Sequence, residues 1–191
     1  MKNYVTLLDE GADLNRRTAT GVTPLILASK KQNAKIVKLL LQAGAEVDAQ
    51  TDLGSTALHF SSYFGHYKVS RLLIQHGANL ELREAEGFTP LLFAAQEGRL
   101  PIVKGLVRSG ANLDAETVRG FTSMMLATDS GWIDVVDYLI AVGANVNATT
   151  TKGESVVHLA IKAGSNDILE LLACAGADLD LPVSVLLACM S

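Results

Sequence analysis

The residues of this chain able to do chemistry are few and scattered. Four histidines occur, His59, His66, His76 and His158, together with two cysteines, Cys174 and Cys189. No histidine pair has the i, i+4 spacing of a helical zinc site, and no Cys-x-x-Cys occurs. His66 follows a glycine, and His76 falls where a helix should end and partial positive charge is favourable. Both read as structural, with metal binding or catalysis as the alternative. Cys174 falls late in a helical stretch with no base beside it in sequence, so it reads as incidental rather than nucleophilic. The glycines form neither Gly-x-Gly-x-x-Gly nor Gly-x-x-x-x-Gly-Lys-Ser/Thr, so they cradle no phosphate. The carboxylates do not recur as close pairs on an apolar background and read as solvated faces. Trp132, the only tryptophan, reads as cover for a turn or as a contact residue.

The elements that must position these residues belong to a chain of 191 residues, long enough to bury a core. With 49% hydrophobic and 19% charged residues it is not a solvated polymer. Sixteen Lys+Arg against twenty Asp+Glu leave a net charge of −4, which argues against gripping nucleic acid. Two cysteines supply no disulfide framework and suit a reducing compartment, although one bridge between them stays open. The first residues hold no apolar stretch of signal-peptide type, and no run of about 18 apolar residues suggests a membrane span. The expectation is a soluble, cytoplasmic protein, a nuclear location remaining open.

Organisation comes from repetition. Gly-Ala occurs at Gly11, Gly44, Gly77, Gly110, Gly143 and Gly176, each step being 33 residues. A second series, Gly21, Gly54, Gly87, Gly120 and Gly153, shares the period, and each member is followed by a hydroxyl two residues on: Thr23, Thr56, Thr89, Thr122 and Ser155. Such a hydroxyl before Pro or a small residue predicts a helix N-cap. The apolar set Leu25, Leu27, Ala28 and its equivalents then predicts a short helix, ended at Gly65, Gly98, Gly131 and Gly164, with Gln32 in that place in the first unit. A second helix follows, with Ile36, Val37, Leu40 and Leu41 on one face. The glycine of Gly-Ala stops it in a left-handed conformation. Helices this short are marginal alone, so the units must stack.

The period and the segments Thr23-Pro24-Leu25, Thr56-Ala57-Leu58-His59, Thr89-Pro90-Leu91 and Ser155-Val156-Val157-His158 resemble the ankyrin repeat, as does Ile36 to Ala45 in the second half of a unit. The resemblance covers essentially the whole chain. It implies an all-α solenoid of stacked helix-turn-helix units with projecting β-hairpin loops, forming a single domain: a half repeat over 1–17, full repeats over 18–50, 51–83, 84–116, 117–149 and 150–182, and a degenerate C-terminal helix over 183–191. It also implies that His59 and His158 hydrogen-bond the hydroxyl three residues before them and the nearby backbone. Two departures stand out. Repeat four has Thr122-Ser123-Met124-Met125, and repeat three places Gly105 inside its second helix, which costs about 1 kcal/mol relative to Ala. Together they predict a softer middle.

Partners of such arrays lie along the hairpin tips and first helices, which line a concave groove. Carried over by position, the contact residues are Leu53, Arg83, Glu86 and Arg119 at the tips and Lys30, Lys31, Tyr63 and Phe64 at the first-helix ends. Phe88 and Phe121 follow the hairpin glycine in adjacent repeats. They either face the groove beside Tyr63 and Phe64 or fold down as local cover. Charge is polarised: residues 1–50 hold seven bases and five acids, residues 129–180 two bases and eight acids. This reads as drift among solvated positions or as steering of a partner of opposite polarity.

The expected function is a non-enzymatic scaffold for a protein partner, without cofactor, metal, nucleic acid or membrane insertion. The alternative is a regulatory or targeting fragment of a larger enzyme, channel or effector. At the ends, Asn3 and Thr6 stand where other repeats are apolar, as a cap requires. Residues 183–191 are apolar apart from Ser184 and Ser191, which predicts either more chain beyond them or self-association.

Overall fold

The computed structural model describes residues 13–179. The expectations for Asn3, Thr6, Cys189 and the segment 183–191 lie outside them. Among the described residues ten helices occur in pairs: α1 (Pro24–Lys30) with α2 (Ala34–Gln42), α3 (Ala57–Phe64) with α4 (Tyr67–Gln75), α5 (Pro90–Gln96) with α6 (Leu100–Arg108), α7 (Ser123–Asp129) with α8 (Ile133–Ala141), and α9 (Val156–Lys162) with α10 (Asn166–Cys174). First helices pack on first helices along the array and second helices on second helices. None is long and apolar enough to cross a membrane.

Each first helix begins where its hydroxyl says it should. Thr23, Thr56, Thr89, Thr122 and Ser155 hold extended backbone, and each side chain accepts the amide N–H three residues on. A cap of this kind contributes about 1 kcal/mol. Gln32, which replaces the turn glycine in the first unit, adopts φ +58°, the left-handed region its position demands.

Burial follows the period. Leu25, Leu58, Leu91, Met124 and Val157 from first helices meet Leu40, Leu73, Leu106, Leu139 and Leu172 from second helices in one continuous core. Stability therefore accumulates along the array rather than at one centre. Repeat four keeps this packing despite its altered motif: Met124 and Met125 are fully buried, and Ser123 Oγ donates to the Leu113 carbonyl at 3.2 Å.

The hairpin loops contain one isolated antiparallel bridge, Thr149 with Ser155. They join one another edge to edge: the amides of Asp52, Ala85, Val118 and Thr151 donate to the carbonyls of Thr20, Leu53, Glu86 and Arg119 at 2.9–3.2 Å. Glycine is required where these backbones approach. A Cβ at Gly87 would stand 2.8 Å from the Val118 amide nitrogen.

A second ladder runs along the connecting segments. The side-chain oxygens of Asn15, Asp48, Glu81, Asp114 and Asn147 accept the backbone N–H of Glu46, Asn79, Asn112, Asn145 and Asp178, each 31 residues on, at 2.8–3.3 Å. These five acceptors are themselves 33 residues apart, so one polar position serves every junction.

Candidate functional site

The first helices of repeats two and three carry an aromatic cluster. Tyr63 and Phe64 close α3 and are 39% and 40% exposed. Their rings meet edge to face at 5.0 Å between centroids, and Tyr63 meets Phe93 of α5 in the same way at 5.7 Å. Phe88, on the hairpin leg leading into α5, stacks on Phe93 at 4.6 Å. The four rings form one connected surface across a repeat junction, with His66 stacked on Phe64 at 5.7 Å beside it. Edge-to-face and offset pairs of this kind hold their geometry beyond what area burial alone supplies.

Phe88 and Phe121 are both half-buried. Phe88 covers its own helix through Phe93. Phe121 packs against the core with the Arg119 guanidinium 5.3 Å from its ring centroid, and makes no ring contact with the cluster. The structure thus joins Phe88 to Tyr63 and Phe64 and leaves Phe121 apart. Leu53, Arg83, Glu86 and Arg119 are exposed on the hairpin tips, as are Lys30 and Lys31 at the end of α1. Lys30 Nζ lies 5.5 Å from the Phe60 ring centroid, which puts a cation on one flank of the cluster. On the other flank, Glu97 pairs with Arg99 at 3.8 Å.

His59 lies beneath the cluster, edge-on to Phe93 at 6.0 Å and 1% exposed. The Thr56 amide donates to Nδ1 at 3.1 Å, so Nδ1 is unprotonated and Nε2–H donates to the Phe88 carbonyl at 3.0 Å. Burial lowers its pKa from 6.5 to about 4, against the opposing pull of the Phe88 and Leu82 backbone. Both ring nitrogens are thus committed to structure, and the imidazole ties the cap of α3 to the next repeat. His158 makes the same cap contact with Ser155 at 2.8 Å.

One further position unites unlike residues. His66 Nδ1, Arg99 Nε and Trp132 Nε1 stand at equivalent places and reach back to the carbonyls of Ser29, Tyr63 and Gln96 in the preceding repeat, at 2.8, 3.3 and 2.8 Å. Each satisfies a helix-end carbonyl that has no partner within its helix. Trp132 thereby covers the inter-helix turn of the preceding repeat: its indole lies where a Cβ on Gly98 (φ +64°) would stand.

Among the described residues no three His, Cys, Asp or Glu side chains converge as a metal site would need. Cys174, the last residue of α10, is exposed.

Phe93 stands at the place of Leu27 in the apolar set that predicts the first helices, and sequence reading did not count it among the contact residues. The signal available was its position beside Tyr63 and Phe88 once repeats are aligned, since Leu27 and Phe60 at the equivalent place are also exposed or half-buried.

Family comparison agrees with this architecture. One family model, ankyrin repeats in three copies, matches residues 43–117 and 91–182, and a second, ankyrin repeats in many copies, matches residues 7–61. The chain belongs to the ankyrin repeat family. Comparison with curated proteins finds no individual match. Ankyrin repeats are in general protein–protein interaction modules, typically without catalytic activity of their own.

Proposed function

We propose that this ankyrin repeat array is a non-enzymatic scaffold that binds a partner protein along its first helices and hairpin tips, centred on Tyr63, Phe64, Phe93 and Phe88. What supports the reading is the connected aromatic surface, partly solvent-exposed, whereas the other Phe, Tyr and Trp side chains among the described residues make no ring–ring contact. Exposed tyrosine and phenylalanine beside a cation make the kind of anchor that dominates binding energy. Lys30 and Lys31 on the repeat-one side favour a segment with an apolar anchor and an acidic neighbour.

The test is panning of a random-peptide library on the full chain. Recovered peptides should carry an apolar or aromatic anchor next to Asp or Glu. Their affinity should fall about tenfold or more in Tyr63→Ala/Phe64→Ala and hold in Lys38→Ala on α2. Peptides indifferent to the first variant would overturn the placement.

A further inference from the structure

The second helices carry their charges at two repeated positions. One holds Lys35, Lys68, Pro101, Asp134 and Asp167; the other, three residues on, holds Lys38, Arg71, Lys104, Asp137 and Glu170. The helices α2, α4 and α6 contain no acid, and α8 and α10 contain no base. Arg108 adds a further cation at the end of α6. All these side chains are exposed except Lys104, which is half-buried with Nζ 5.3 Å from the Tyr138 ring centroid.

Segregation has a cost. Residues three apart are neighbours on a helix surface, and α2, α4 and α6 stack side by side, as do α8 and α10. Each charge therefore faces like charge in its own helix, and usually in the next. The two ion pairs found among the described residues, Arg17–Asp52 and Arg99–Glu97, use none of them. A complementary surface laid over this face would turn the repulsion into attraction.

We propose that the second-helix face docks a second copy of this chain, antiparallel about a two-fold axis between α6 and α8. Repeat two of one copy then faces repeat five of the other, and repeat three faces repeat four. Lys68 and Arg71 meet Asp167 and Glu170, Lys104 and Arg108 meet Asp134 and Asp137, and symmetry makes each pairing twice. Four of the six cations then meet the four acids of this face: Lys68 and Arg71 stand at the same two repeat positions as Asp167 and Glu170, and Arg108 lies one turn beyond Lys104, while Lys35 and Lys38 fall outside the paired repeats. This favours a second copy over a foreign acidic protein, which would leave the acidic half unanswered. A shallow pocket of about 230 Å³, lined by Arg71, Ile74, Ile102 and Gly105 among others, adds an apolar element within the basic half. Exposed pairs contribute little singly, so the association rests on their number and is sensitive to salt. The reading is independent of the aromatic groove, which lies on the other helix of each pair.

Sedimentation velocity on the full chain tests it. The chain should be dimeric at low salt (about 20 mM) and monomeric at about 500 mM, where charges are screened over a few ångströms. Asp167→Lys/Glu170→Lys should be monomeric at low salt with an unchanged helical circular dichroism spectrum. Adding Lys68→Glu/Arg71→Glu to the same chain should restore the dimer. A wild type monomeric at low salt overturns the proposal, and so does a dimer indifferent to charge reversal, which would place the contact elsewhere. A monomeric wild type that binds polyglutamate through Lys68 and Arg71 overturns it too, and reassigns the basic half to a foreign acidic partner.

Discussion

Ser70 of α4 donates its hydroxyl proton to Ser61 Oγ of α3 at 2.9 Å, with both side chains fully buried. Ser61 in turn donates to the Leu58 carbonyl at 3.1 Å. At these two places the first repeat has Ala28 and Val37, the third Ala94 and Val103, and the fourth Ala127 and Val136. Repeat two has exchanged an apolar contact for a hydrogen-bonded pair, and the two exchanges depend on each other.

Ser61→Ala alone should therefore cost about 1–3 kcal/mol, because it strands the Ser70 hydroxyl in the core. Ser70→Val should cost less, since Ser61 keeps the Leu58 carbonyl. The double variant restores the apolar pair of the other repeats and should be at least as stable as the starting protein. Urea unfolding of all four chains gives the coupling energy; additive losses would refute the dependence.

Stability should also depend on pH through His59. Its folded pKa, about 4, lies below the ordinary 6.5, so the unfolded chain binds the proton more readily. Stability is then full above pH 6.5 and is lost as pH falls toward 4, by up to about 3 kcal/mol. Carboxylates add their own losses below about pH 5, so the window between 6.5 and 5 separates histidine from carboxylate, and a variant lacking the imidazole singles out His59. Melting temperatures of the wild type should fall across that window more steeply than those of His59→Gln.

Two glycines make opposite predictions. Gly105 lies inside α6 with a backbone that is not left-handed, and an added Cβ there would meet nothing within 4 Å. Gly105→Ala should therefore stabilise by about 1 kcal/mol. Gly98→Ala should destabilise by more than that, since φ is +64° and the new methyl would strike the Trp132 indole. Chemical denaturation of both, compared with wild type, settles the pair of signs.

The aromatic residues should separate fold from binding. Phe88→Ala with Phe121→Ala should lower stability by about 2 kcal/mol or more, since both rings are half-buried and one is stacked. Tyr63→Ala with Phe64→Ala should cost only about 1 kcal/mol. The latter pair is the cleaner probe of partner binding, and thermal melts of the two double variants check the difference.

The sequence made the skeleton legible because glycine and hydroxyl each do one job that few other residues can do. A left-handed turn selects glycine and a helix start selects an oxygen acceptor, so both show up at fixed spacing. The backward reach to helix-end carbonyls did not show, because His66, Arg99 and Trp132 share only a nitrogen at suitable distance. The polar ladder was hidden for a similar reason: Asn15, Asp48 and Glu81 read as solvated turn residues, and the amide each one holds lies 31 residues further along the chain. Phe93 looked like a core residue because it shares a helix with Leu91 and Leu92, which are buried.

The ladder of side-chain acceptors bears on how such a gene can change. Each of these junctions presents a side-chain oxygen at the same place upstream and a backbone amide at the same place downstream, so duplicating or deleting a whole 33-residue block leaves each oxygen opposite an N–H. Losing a single residue between Asp48 and Asn79 would put one rung out of step instead. Recombination that respects the period is thus tolerated at the level of hydrogen bonds, and array length can vary more freely than loop length.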